Sequence, residues 1–223
     1  MWQSSQVNEW CALICYTYFQ PSVNTSMENL KIKNTVIEQI CQKFTTLQYN
    51  DGEPSKPVKW ESNDDFSTAF DQATSNQSLE DILQGHRYIK KSCYKIFGET
   101  PAGTYFLEQL KPLINYDSYY TAAYWPQGFV GWHLDSDIKG YCLLWTWSAE
   151  GSGFFKYRDP ITNKIIQIDD EPGWHVKAMR LGNQDNDRLW HCAGGTGSRW
   201  SFVLMYDDDH VDLYQKAKLL ISL

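Results

Sequence analysis

From Tyr116 onward the chain falls into eight strand-sized runs, and this cadence constrains the fold more than any other feature. "SYYTAAYW", "FVGWHLD", "GYCLLWTWS", "GFFKYR", "KIIQID", "HVKAMRL", "RLWHCA" and "RWSFVLMY" are rich in aromatic and β-branched residues and are separated by Gly, Pro and Asn. Short strands at such close spacing predict a β-sandwich or barrel of the jelly-roll kind. "DPITN", between two of the runs, reads as a hairpin connection. In "RWSFVLMY", Arg199, Ser201, Val203 and Met205 share one face, and Trp200, Phe202, Leu204 and Tyr206 the other. Both faces are apolar beyond the start, which predicts an interior strand.

Up to about residue 113 the texture is mainly helical. "NLKIKNTVIEQICQKF" places Leu30, Ile32, Val36, Ile37, Ile40 and Phe44 at roughly helical spacing. "SLEDILQGHRYIKKSCYKIFGETP" opens on Ser78 and Asp81 as a cap and ends at Gly98, with Pro101 beyond. The turn-rich "QYNDGEPSKPVKWESNDD" between them predicts an exposed loop, and "VDLYQKAKLL" a closing helix. The expected fold class is therefore mostly β with helical support. A helical framework over 1–113 precedes a double-stranded β-helix, jelly-roll or cupin-like, over 114–208, and a C-terminal helix occupies 209–223.

The net charge of −7 argues against tight sequence-independent binding to nucleic acid, which depends on phosphate neutralisation by Lys and Arg. "MWQSSQVNEW" has no basic residue to make the n-region of a secretory signal, and "WCALICYTYF" is too short to cross a bilayer. Cys11, Cys15, Cys41, Cys93, Cys142 and Cys192 show no C-x-x-C spacing and read as reduced, mostly buried thiols. These features predict a cytoplasmic protein without a membrane segment.

The chemistry lies in "FVGWHLDSDIKGYCLLWTWS", where charged groups interrupt a hydrophobic run. On a strand His133 and Asp135 share a face, and they can be a solvated edge, a hydrogen-bonded pair or two metal ligands. His191 ends a later run, and Arg199 with Ser201 opens the last one. A guanidinium does not give up its proton, so Arg199 needs an anionic partner, either an acid of the chain or a carboxylate-bearing ligand. Two histidines and one carboxylate make a facial triad that holds a divalent metal with positions left open. His175 is a rival to His191, and Asp137 to Asp135. His86 and His210 read as structural or solvated histidines.

The order His133-x-Asp135, His191, Arg199-x-Ser201 resembles the iron(II)- and 2-oxoglutarate-dependent oxygenases, over about residues 116–206. Tyr124 and Gly128 ahead of His133 are similar to the layout in the prolyl-hydroxylase and AlkB-type branches of that family. The resemblance implies Fe(II) on His133, Asp135 and His191, and 2-oxoglutarate on Arg199 and Ser201, with the Tyr124 hydroxyl in reach. With dioxygen, the implied reaction hydroxylates an unactivated C–H bond and releases succinate and carbon dioxide. A protein side chain or a small molecule suits the charge balance better as substrate than duplex nucleic acid. Two features depart from the branch patterns: prolyl hydroxylases usually carry Lys where Arg199 stands, and the Gly-Asp step before the distal strand is missing. "SDIKGY" and "YWPQGF", with Trp125, Phe129, Trp145 and Trp147, are candidates for shaping the pocket. The rival readings are a zinc hydrolase on the same ligands and a non-enzymatic, aromatic-rich β-sandwich.

Overall fold

A computed structural model of the chain describes residues 27–50, 100–124, 128–135, 140–182 and 188–223. A first strand, β1 (Met27–Leu30), precedes helices α1 (Thr35–Asn50) and α2 (Pro101–Leu110). Eight strands follow: β2 (Ser118–Tyr124), β3 (Phe129–His133), β4 (Tyr141–Ser148), β5 (Gly153–Arg158), β6 (Ile165–Asp169), β7 (Gly173–Arg180), β8 (His191–Gly195) and β9 (Arg199–Tyr206). A short 3-10 turn, Asp208–His210, leads into α3 (Val211–Ser222).

The strands form two antiparallel sheets, one ordered β1-β7-β4-β9-β2 and the other β3-β8-β5-β6. Apart from the β5–β6 hairpin, each step from β2 to β9 crosses to the opposite sheet, so the chain winds as a double-stranded β-helix. All eight runs seen in the sequence are strands, and β9 lies inside its sheet between β4 and β2. "DPITN" is the expected turn: the Asp159 carboxylate accepts from the backbone N–H groups of Ile161 and Thr162, and Asn163 takes φ 59°.

Each face of the larger sheet has its own core. The outer face, with Leu143, Trp145, Trp147, Trp200 and Phe202, packs on Ile37, Ile40 and Phe44 of α1 and Ala102, Phe106 and Leu107 of α2. Phe106 stacks on Trp174 with ring centroids 4.6 Å apart, and Trp174 Nε1 donates to the Cys41 carbonyl. Cys142, Leu144, Met179 and Met205 on the inner face meet Phe155, Tyr157 and Ala193 of the smaller sheet. The bottom of this inter-sheet core is polar.

The N-terminal region is not purely helical. Met27–Leu30 extends the larger sheet by pairing with β7, and the helix predicted across this stretch begins only at Thr35. Asn34 sets that start, its side-chain oxygen accepting from the N–H groups of Val36 and Ile37. Leu30 and Ile32 fit a two-residue alternation as well as a helical one, so spacing alone did not separate them. Val36, placed on the apolar face by spacing, is 50% exposed. The helix also runs through Gln48, Tyr49 and Asn50, which the sequence assigned to the loop. Pro101 opens α2 with Thr100 as its cap, where the sequence read it as the residue beyond a preceding helix. The helix read over "SLEDILQGHRYIKKSCYKIF" and the remainder of the loop lie outside the described residues, as do Cys11, Cys15 and Cys93. Cys41, Cys142 and Cys192 are buried free thiols whose pKa values are raised by that burial.

Candidate metal centre and the barrel interior

His133 closes β3 and stands opposite His191, the first residue of β8. Between Val130 and His133 the register slips, β3 carrying one residue more than its partner. Such a bulge re-aims side chains. Val130 packs with Ala122 and Tyr124, Trp132 joins the cluster of Trp190 and Cys192, and His133 turns to meet His191. Asp135 lies just beyond the strand end. Arg188 donates to its backbone carbonyl at 3.0 Å and ties the segment to the approach of β8.

The three side chains converge. His133 Nε2 is 3.8 Å from Asp135 Oδ1, His191 Nε2 is 3.6 Å from Asp135 Oδ2, and the imidazole centroids are 4.2 Å apart. These separations exceed hydrogen-bond reach. Donor atoms that each sit about 2.1 Å from a shared ion stand roughly 3–4 Å from one another, so the spacing suits a metal. His133 Nδ1 faces the Gly131 carbonyl at 2.8 Å and His191 Nδ1 faces the Leu189 carbonyl at 2.9 Å. A carbonyl only accepts, so each Nδ1 carries a proton, and in the neutral ring the lone pair is on Nε2, the nitrogen turned toward Asp135. The group could hold a metal ion, and two imidazoles with one carboxylate fit a divalent transition metal. The Phe155 ring stacks on His191 and fixes its plane. With its side chain 28% exposed, Asp135 is open to solvent at the barrel mouth.

Deeper in the barrel, Arg199 is 1% exposed. Its Nε donates to Asp170 Oδ2 at 2.6 Å, Nη1 to Ser201 Oγ at 2.7 Å, and Nη2 stands 3.5 Å from Thr146 Oγ1. Asp170 Oδ1 also accepts from Lys177, at 3.2 Å. Burial alone would raise the Asp170 pKa, but Arg199 and Lys177 outweigh it and hold the carboxyl below its usual range. The Tyr124 ring lies 5.0 Å from the guanidinium, on the strand position that pairs with Arg199.

Of the predicted site residues, His133, Asp135 and His191 form one group, and Arg199, Ser201 and Tyr124 a second. The internal acid that Arg199 called for is Asp170. The sequence reading missed it, together with Lys177, Thr146 and Arg188. Lys177 had left a signal, a cation at an inward position between apolar neighbours in "HVKAMRL". His175 bonds to the Glu171 carbonyl and is no part of the triad. Trp145 and Trp147 face the helices and are buried in the outer core. Trp125, Asp137 and His86 lie outside the described residues. Asp117, Asp207 and His210 form a second, exposed group, accounted for by hydrogen bonds among themselves.

No protein-family model and no curated protein matches the sequence. Among solved structures the chain is similar to a Pseudomonas putida prolyl-4-hydroxylase, with 10% identity over 83% of this chain and 89% of that one and a TM-score of 0.38. It is similar also to YcfD, a ribosomal oxygenase from Escherichia coli, with 15% identity over 47% of this chain and 27% of that one (TM-score 0.32). A third is QdtA, a sugar 3,4-ketoisomerase from Thermoanaerobacterium thermosaccharolyticum in complex with TDP. It has 17% identity over 47% of this chain and 74% of that one (TM-score 0.26). Among the described residues no helix is long and apolar enough to cross a membrane.

Proposed function

We propose that this chain is an Fe(II)- and 2-oxoglutarate-dependent dioxygenase that hydroxylates a C–H bond of a protein side chain or small molecule, releasing succinate and carbon dioxide. The observation that carries the reading is the convergence of two Nδ1-protonated imidazoles and one carboxylate at the mouth of a barrel that holds a buried arginine. His133, Asp135 and His191 would hold the iron, which when bound supplies the activation of dioxygen. The Gly131 and Leu189 carbonyls orient both rings so that Nε2 is the atom turned toward Asp135, and Phe155 holds one ring in plane. Arg199 and Ser201 would take the far carboxylate of 2-oxoglutarate, and Tyr124 packs against that guanidinium.

Anaerobic titration with Fe(II) and then 2-oxoglutarate tests the reading. The expected result is a weak visible metal-to-ligand charge-transfer band that is lost in His191→Ala. A band of unchanged strength in that variant overturns the ligand assignment. Turnover that persists without dioxygen and 2-oxoglutarate would instead identify a zinc hydrolase built on the same side chains.

A further inference from the structure

Arg199 is not the only cation in the barrel. Lys177, on β7, is 1% exposed, and its ammonium donates to Asp170 Oδ1 while Arg199 donates to Oδ2 of the same carboxylate. Asp170 is itself buried, and its two oxygens are each taken by one cation. Two positive groups thus share one negative group, and the cluster keeps one positive charge inside the protein. An uncompensated buried charge is costly unless a counter-ion meets it.

The hydrogen bonds point the same way. Arg199 has three partners, of which only Asp170 is charged, and its remaining N–H donors are left over. Among the described residues the Lys177 ammonium has Asp170 as its hydrogen-bond acceptor and keeps donors to spare. Ser201 accepts from Arg199, which leaves its hydroxyl proton to donate. The cluster is rich in donors and short of acceptors. Burial, helped by the nearby Arg199, lowers the Lys177 pKa against the pull of Asp170, as expected where two cations compete for one carboxylate.

Gly153 makes room for this arrangement. A Cβ there would lie 2.5 Å from Asp170 Oδ2 and 2.9 Å from Arg199 Cδ. A side chain on β5 at this point would displace the ion pair.

We infer that Lys177 is a second cation of the anion pocket, held beside Arg199 by the bridging carboxylate of Asp170, and that the pair together bind one carboxylate group. Taken with the proposed function, that group is the tail of 2-oxoglutarate, and Asp170 is a positioning residue that sets the gap between the cations.

The test measures ligand affinity, not turnover. Full-length protein loaded with Mn(II) is titrated calorimetrically with 2-oxoglutarate. Metal-free protein is titrated with glutarate, which has the carboxylates but no keto group to chelate a metal. Lys177→Met is expected to bind Mn(II) as the wild type does and both dicarboxylates about 10- to 100-fold more weakly, the range for loss of one charged hydrogen bond. Lys177→Gln, which keeps a donor for Asp170, serves if the methionine variant does not fold. Lys177→Arg should retain most of the affinity. Wild-type affinity for both ligands in the Met or Gln variant overturns the inference and leaves the oxygenase reading standing. Glutarate binding that depends on Lys177, in a protein that ignores 2-oxoglutarate, overturns the oxygenase reading and leaves the anion pocket. A wild type that binds neither dicarboxylate overturns the pocket.

Discussion

At the scale of single residues, the site depends on which atom of each side chain is already committed. His133 and His191 spend Nδ1 on main-chain carbonyls, so that Nε2 is the nitrogen each turns toward Asp135. Asp170 gives one oxygen to each of two cations, which ties Arg199 and Lys177 to a single carboxylate. A neutral position on which the anion cluster depends is Gly153, because the two atoms a methyl would strike belong to a buried ion pair. Gly153→Ala should cost about 1–3 kcal/mol by overpacking, measured as a lower urea midpoint with an unchanged slope. It should also weaken 2-oxoglutarate binding. A variant as stable as the wild type would mean that Arg199 and Asp170 can separate without cost.

Two elements owe their placement to a local irregularity. In β3 the extra residue before His133 turns the imidazole toward His191, so the convergence of the candidate ligands depends on a slip that simple alternation does not contain. At the other end, α3 is pinned by a charged latch: His210 Nδ1 donates to Asp117 Oδ1 at 2.8 Å, and Asp117 Oδ2 accepts from the Asp207 N–H at 2.9 Å. The hydrogen bond to Asp117 raises the His210 pKa, and a raised histidine stabilises the fold below its unfolded pKa and loses that contribution as pH rises through the folded one. Partial burial would raise Asp117, but the Asp207 N–H and His210 bring it down. A lowered carboxyl contributes above its unfolded pKa and loses the effect as pH falls through the folded one. The latch should therefore be strongest between about pH 4 and 6.5, the unfolded values of the two groups. Thermal melts of wild type and Asp117→Asn across pH 3–9 should differ most inside that window, less above it, where only the His210 part is lost, and least toward pH 3. A constant difference across the range would deny the pairing.

For the whole molecule, the helices and the sheet share one aromatic core, and that core keeps the barrel's outer face dry. Phe106 touches Phe44, Trp145, Trp174 and Phe202 and is fully buried. Phe106→Ala should destabilise by about 3–5 kcal/mol in chemical denaturation. A loss below about 1 kcal/mol would show that α2 is peripheral to the barrel. Much of this was legible in the chain itself. Alternation and turn residues delivered all eight barrel strands, because a strand's two faces are written locally, and His133, Asp135, His191 and Arg199 stood out as charged groups in apolar runs that local structure could not satisfy. What remained hidden needed distance in the fold rather than along the sequence. Met27–Leu30 is a strand only because the edge of β7 accepts it, and Asp170 becomes the shared partner of Arg199 and Lys177 only when β7 and β9 are laid on either side of β4. A sequence can show that a cation must be neutralised. Which carboxylate does so is decided where the strands meet, since the energy of an ion pair depends on ångströms of separation that only packing sets.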